Sequence, residues 1–106
     1  MKPIVDEVAR RLWDALRDSI EDFEGLYVFG SQVRGDATDE SDVDIVVLFG
    51  QHYFYNPDPY YDILSQMRYD YYDDLDLDIS TYTRNELEIN LSFHDEVVNK
   101  GIYYGV

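Results

Sequence analysis

Gly30-Ser31 is followed, ten residues later, by Asp42-Val43-Asp44, and a second acidic alternation, Leu75-Asp76-Leu77-Asp78-Ile79, lies further along. A strand that ends in Gly-Ser and turns into a helix aims main-chain N–H groups at one spot, which suits a phosphate. Glycine lets a ligand come close to the backbone, and the serine hydroxyl adds a donor. On a strand, residues two apart face the same side, so Asp42 and Asp44 should point outward together while Val43, Ile45 and Val47 face the core. Their Cα atoms should lie roughly 6.5 Å apart. Two carboxylates that close repel unless a cation sits between them, and such hard oxygen donors suit Mg²⁺ or Mn²⁺ held jointly with substrate phosphates. Asp76 and Asp78 share a face in the same way. If the two strands are neighbours, either could complete a three-carboxylate cluster able to hold two metals for an in-line displacement at phosphorus.

The elements that must position these residues are legible as patterns. Ile4, Val8, Leu12, Ala15, Leu16 and Ile20 recur at spacings of three and four, which predicts a helix over residues 3–22, with Pro3 in its first turn and Gly25 beyond its end. Residues 26–29 form a short apolar run, expected as a buried strand that meets Gly30-Ser31, with one helical turn over 31–35. Residues 43–49 are rich in Val and Ile, the pattern of a second strand. A loop over 50–59 contains Pro57 and Pro59. A helix is expected over 60–71 with Ile63, Leu64 and Met67 inward, and a half-buried strand over 75–81. A turn and short helix over 84–89, a last helix over 93–99 and a terminal extended piece over 101–106 complete the chain. Helix, strand, strand, helix, strand, helix is the order of an α/β or α+β domain around a small mixed sheet.

The chain has 106 residues, sized for one domain (1–106) with one modest core and no room for a second substrate-binding domain. Its 23 acidic and 8 basic residues give a net charge of −15. Such a field repels polyphosphate backbones, which argues against DNA or RNA as a general ligand, and it favours a basic protein partner. Bound divalent metal can still invert the local charge for a nucleotide. The absence of cysteine removes disulfides, zinc–thiolate sites and thiol nucleophiles. No apolar stretch is long enough to span a membrane and no signal core opens the chain, so the cytoplasm is the expected compartment. Many of the 11 tyrosines fall between positions 53 and 72, a pattern of packing or of a partner surface. Gly30 to Gly35 lacks the Gly-Lys-Ser/Thr of a P-loop, and His52 and His94 are isolated.

Gly-Ser, ten residues, then Asp-x-Asp resembles the signature of the DNA polymerase β-like nucleotidyltransferase superfamily. Arg34-Gly35 and Ser41 match its fuller form, and the compact length resembles the minimal nucleotidyltransferases. Leu77-Asp78-Ile79-Ser80-Thr81-Tyr82-Thr83 looks like that group's third-aspartate strand, and Asn99-Lys100-Gly101-Ile102-Tyr103-Tyr104 like its ending. The sequence departs from the usual pattern at Gln32-Val33, where Arg-Ala is commoner, and in the aromatic loop after the second strand. The resemblance implies a polymerase β-like fold and Mg²⁺-dependent transfer of a nucleoside monophosphate, AMP from ATP. It implies Gly30 and Ser31 on the triphosphate and Asp42, Asp44 and Asp78 as metal-binding catalytic carboxylates. Asp78, favoured over Asp76 by the Tyr82-Thr83 that follows, would also help activate the acceptor hydroxyl. Arg34 would contact phosphate or position the loop; an ion pair with Asp36 or Asp39 is the other role open to it. Minimal members are commonly antitoxins paired with a helical HEPN ribonuclease toxin, which implies adenylylation of a toxin tyrosine. Two other outcomes stay open: an antitoxin that acts by binding alone, and a transferase acting on a small molecule.

Overall fold

Pro3 sits in the first turn of α1 (Pro3–Ser19), where its missing N–H costs nothing. Val5, Val8, Ala9, Leu12 and Leu16 form the buried stripe of that helix, which stops at Ser19, three residues before the expected end, as the chain turns extended at Ile20. The computed structural model describes residues 1–38, 42–51 and 56–105. Asp39, a candidate partner of Arg34, and Ser41, His52 and Tyr53 lie outside the described residues.

Strand β1 (Phe23–Phe29) begins earlier than the apolar run suggested, because a bulge between Phe23 and Gly25 lets the chain pair before Leu26. The single turn α2 (Ser31–Arg34) follows, then β2 (Val43–Phe49), α3 (Asp58–Asp70) and β3 (Leu77–Tyr82). Two short helices, α4 (Arg84–Ile89) and α5 (Leu91–His94), lead into a π-helical turn, Asp95–Asn99, and the edge strand β4 (Ile102–Gly105). The sheet order is β3-β2-β1-β4, with β2 and β3 parallel and the other pairs antiparallel. The terminal extended piece is thus a fourth strand, which pattern alone did not place. A longer α3 likewise starts two residues before its expected beginning, because Asp58 and Pro59 occupy its first turn.

Both faces of the sheet are covered. α1 and α3 pack on one face against Leu26, Val28, Val43, Ile45, Val47 and Phe49. Leu87 of α4 and Val97 of the π-helical turn close the other against Tyr27, Val46 and Leu48. Double coverage explains why residues 45–49 read as an unbroken apolar run, and it corrects the expectation that the face shared by Asp42 and Asp44 is simply outward. Only the start of β2 escapes the second layer: Asp42 is exposed and Asp44 half-buried, whereas Val46 and Leu48 are fully enclosed. Ile63 is only partly buried, beside the buried Leu64 and Met67. α4 opens on a capping box. The Thr83 hydroxyl accepts from Glu86 N–H at 3.2 Å, and the Glu86 carboxylate accepts from Thr83 N–H at 2.9 Å. No helix among the described residues is long and apolar enough to cross a membrane.

Candidate active site

Gly30 links β1 to α2 with φ +80° and ψ −153°, a conformation that L side chains rarely adopt. The helical ladder of α2 starts at Val33, whose N–H donates to Gly30 C=O at 3.1 Å, followed by Arg34 N–H to the same carbonyl at 3.0 Å. Phe29 is in register with Asp44 on the adjacent strand, and this brings the Asp44 carboxylate directly against Gly30. A Cβ at position 30 would stand 2.3 Å from Asp44 Oδ2. The glycine is therefore needed twice, for its backbone angle and for the space its missing side chain leaves to Asp44.

On the other side of β2, the parallel register pairs Asp44 with Asp78 and Val43 with Leu77. Neighbouring strands lie about 4.8 Å apart, and in-register residues present their side chains on the same face. Asp76 stands before β3, and its carbonyl accepts the Val43 N–H at 2.8 Å. Burial is the largest influence on Asp44 and pushes its carboxyl above the ordinary value. The negative charges of Asp78 and Asp42 push the same way, while Arg34 pulls against them. Asp42, Asp44, Asp78 and Arg34 thus share one electrostatic environment beside Gly30.

Carboxylates set side by side repel, and a divalent cation between them relieves that repulsion. The donor set, carboxylate oxygens crowded enough to repel, fits a hard metal such as Mg²⁺ or Mn²⁺. Among the described residues no group of three acidic or imidazole side chains is placed to hold a metal ion, which leaves the Asp44–Asp78 pair open. That openness is compatible with Mg²⁺, which typically takes only one or two carboxylates and fills its remaining positions with water and substrate phosphate.

Arg34 is held by two carboxylates outside this cluster. Its Nη1 donates to the Glu96 carboxylate, and its Nε lies 3.5 Å from Asp36 Oδ2. The ion pair with Asp36 was one of the sequence alternatives. Glu96, 62 positions away, was not legible: no spacing rule ties a residue of the π-helical turn to α2. Of the acidic candidates, Asp44 and Asp78 stand side by side in register, while Asp42 precedes β2 and Asp76 precedes β3. A separate concavity of 540 Å³ between α1 and β4, lined by Asp6, Arg10, Trp13 and Tyr104, lies at the opposite sheet edge from β3. Its polar groups already satisfy one another: Tyr104 Oη donates to Asp6 at 2.7 Å and Trp13 Nε1 to Gly105 C=O at 3.0 Å.

A four-stranded mixed sheet with this helix order is the polymerase β-like nucleotidyltransferase fold. The family described as Polymerase beta, Nucleotidyltransferase matches residues 14–103, and the chain belongs to it. One similar solved structure is a protein from Sulfolobus solfataricus named as a candidate nucleotidyltransferase. It is 22% identical, with a TM-score of 0.58, over 92% of this chain and 77% of that one. A chain of a toxin–antitoxin complex solved with AMP-PNP aligns at 22% identity and a TM-score of 0.61, over 92% and 73% of the two chains. A chain from the complex of a tri-AMPylated Shewanella oneidensis HEPN toxin with an MNT antitoxin aligns at 19% identity and 0.56, over 96% and 73%. No protein of curated function matches the chain.

Proposed function

We propose that this chain is a metal-dependent nucleotidyltransferase that transfers AMP from ATP to a protein hydroxyl, a tyrosine of a cognate HEPN-type toxin, and so acts as an antitoxin in the cytoplasm. The observation that carries the reading is the register of Asp44 with Asp78 beside Gly30, with Asp42 two residues away. Gly30 and Ser31 would receive the triphosphate. Asp42, Asp44 and Asp78 would hold Mg²⁺ or Mn²⁺, which supplies charge neutralisation at the phosphoryl oxygens. The tyrosine oxygen would attack the α-phosphorus in line, forming the new P–O bond as the bond to the β-phosphate oxygen breaks and pyrophosphate leaves. Asp78, at the exposed sheet edge, would take the hydroxyl proton. Catalysis would rest on positioning and preorganised charge.

The toxin assignment draws support from the antitoxin complexes among the similar folds and from the charge of −15, which attracts a basic partner. Tyr61, Tyr69 and Tyr72 are 60%, 80% and 81% exposed, leaving part of the tyrosine-rich segment available to a partner. The test is co-expression of the toxin with the wild-type chain or with an Asp42→Asn, Asp44→Asn variant, followed by intact mass spectrometry. Modification is expected to add one or more AMP masses to the toxin and abolish its ribonuclease activity, only with the wild-type chain. Full protection by the variant with no mass change would replace the enzymatic reading with neutralisation by binding. Nucleotide transfer to a small molecule with the toxin unmodified would replace the acceptor.

A further inference from the structure

Glu96 closes a packed circuit around the proposed nucleotide site. Phe29, in register with Asp44, meets Phe93 of α5 edge-on, with ring centroids 5.4 Å apart. The chain then widens into the π-helical turn, where Lys100 N–H donates to Asp95 C=O at 3.2 Å. Such turns are uncommon and recur at functional positions. This one is fixed by its fit. Val97 is fully buried, and a Cβ at Gly101 would lie 2.2 Å from Val97 C=O and 2.9 Å from Val28 C=O. From that anchored backbone Glu96, whose side chain is 28% exposed, reaches back across the sheet end to Arg34. Arg34 closes α2, the turn that Gly30-Ser31 opens, and its charge acts on Asp44.

A guanidinium has a planar fork of donors, and fixing two of its nitrogens on carboxylates orients the rest. Nη1 is committed to Glu96 and Nε faces Asp36, so the plane of the Arg34 head is set by residues outside the aspartate cluster, at the end of the turn that starts beside Gly30. We infer that Glu96 is a positioning residue that holds Arg34 oriented toward the nucleotide's phosphates. It acts through Arg34, without touching the substrate. The inference rests on the nucleotidyltransferase reading above.

The test compares ATP kinetics and MgATP calorimetry for the wild-type chain with its toxin, Glu96→Gln, Arg34→Ala and the double variant. Glu96→Gln keeps the side-chain shape and removes the charge that orients Arg34. It is expected to raise KM and Kd for MgATP about tenfold while kcat changes little. Glu96→Asp, which keeps the charge with a shorter reach, is expected to fall between. Because Glu96 acts through Arg34, the double variant is expected to match Arg34→Ala alone. Unchanged or tightened nucleotide binding in Glu96→Gln, or additive losses in the double variant, would overturn the inference. Loss of fold in Glu96→Gln, seen as a collapsed melting transition, would assign Glu96 to stability and overturn it as well. A wild-type chain that binds no MgATP fails at the earlier step, so the two failures are distinguishable.

Discussion

Asp44 and Asp78 stand side by side, in register on parallel neighbouring strands. This register separates Asp78 from Asp76, which alternation along β3 had left equivalent. Asp78→Ala is expected to lower nucleotide transfer by about 100-fold or more, whereas Asp76→Ala retains most activity. A radiolabelled transfer assay on the two variants checks this, and the reverse ranking would move the site by one pleat pair.

Gly30→Ala places a methyl group into Asp44 Oδ2 and forces alanine to a φ of +80°. The variant is expected to lose more than about 1 kcal/mol of stability and to lose MgATP binding along with it. Urea unfolding and calorimetry measure the two effects. Unaltered binding would show that Asp44 need not occupy its place against the glycine.

Burial, followed by the charges of Asp78 and Asp42, holds the Asp44 carboxyl above its ordinary range, so the folded chain binds that proton more tightly than the unfolded chain. Its stabilising contribution is complete below the unfolded value and is lost as pH rises through the folded one. At neutral pH in a chelator, Asp44→Asn is therefore expected to melt a few degrees above the wild type, with the advantage vanishing below about pH 4. Mg²⁺ should raise the melting temperature of the wild type and leave the variant unmoved. Equal melting temperatures at all pH values would remove Asp44 from the strained cluster.

Burial, then its hydrogen bond to Asp6, pushes the Tyr104 phenol up to about 12. The neutral phenol is the form that the fold favours, so its stabilising contribution is present below about 10 and disappears as pH rises through about 12. An alkaline ultraviolet titration should show a late tyrosine step in the wild type that is missing from Tyr104→Phe. The variant should also unfold at lower urea because β4 loses a tie to α1. A late step that survives the substitution would belong to another tyrosine.

The sequence by itself determined the local chemistry and most of the elements. Pro3 with its apolar stripe specified α1, the Val/Ile run specified β2, and Gly30-Ser31 with Asp42-Val43-Asp44 marked the candidate site, because backbone preference and side-chain period are properties of neighbouring residues. The Thr83-x-x-Glu86 capping signal is equally local. Tertiary structure decided what depends on distant partners. It paired Asp44 with Asp78 rather than Asp76, since parallel register is set by how α3 spans the two strands. It drew Ile102–Gly105 into the sheet beside β1 and covered the second face of β2 with Leu87 and Val97. It also brought Glu96 to Arg34 across 62 positions, a contact created only when the π-helical turn packs onto β1.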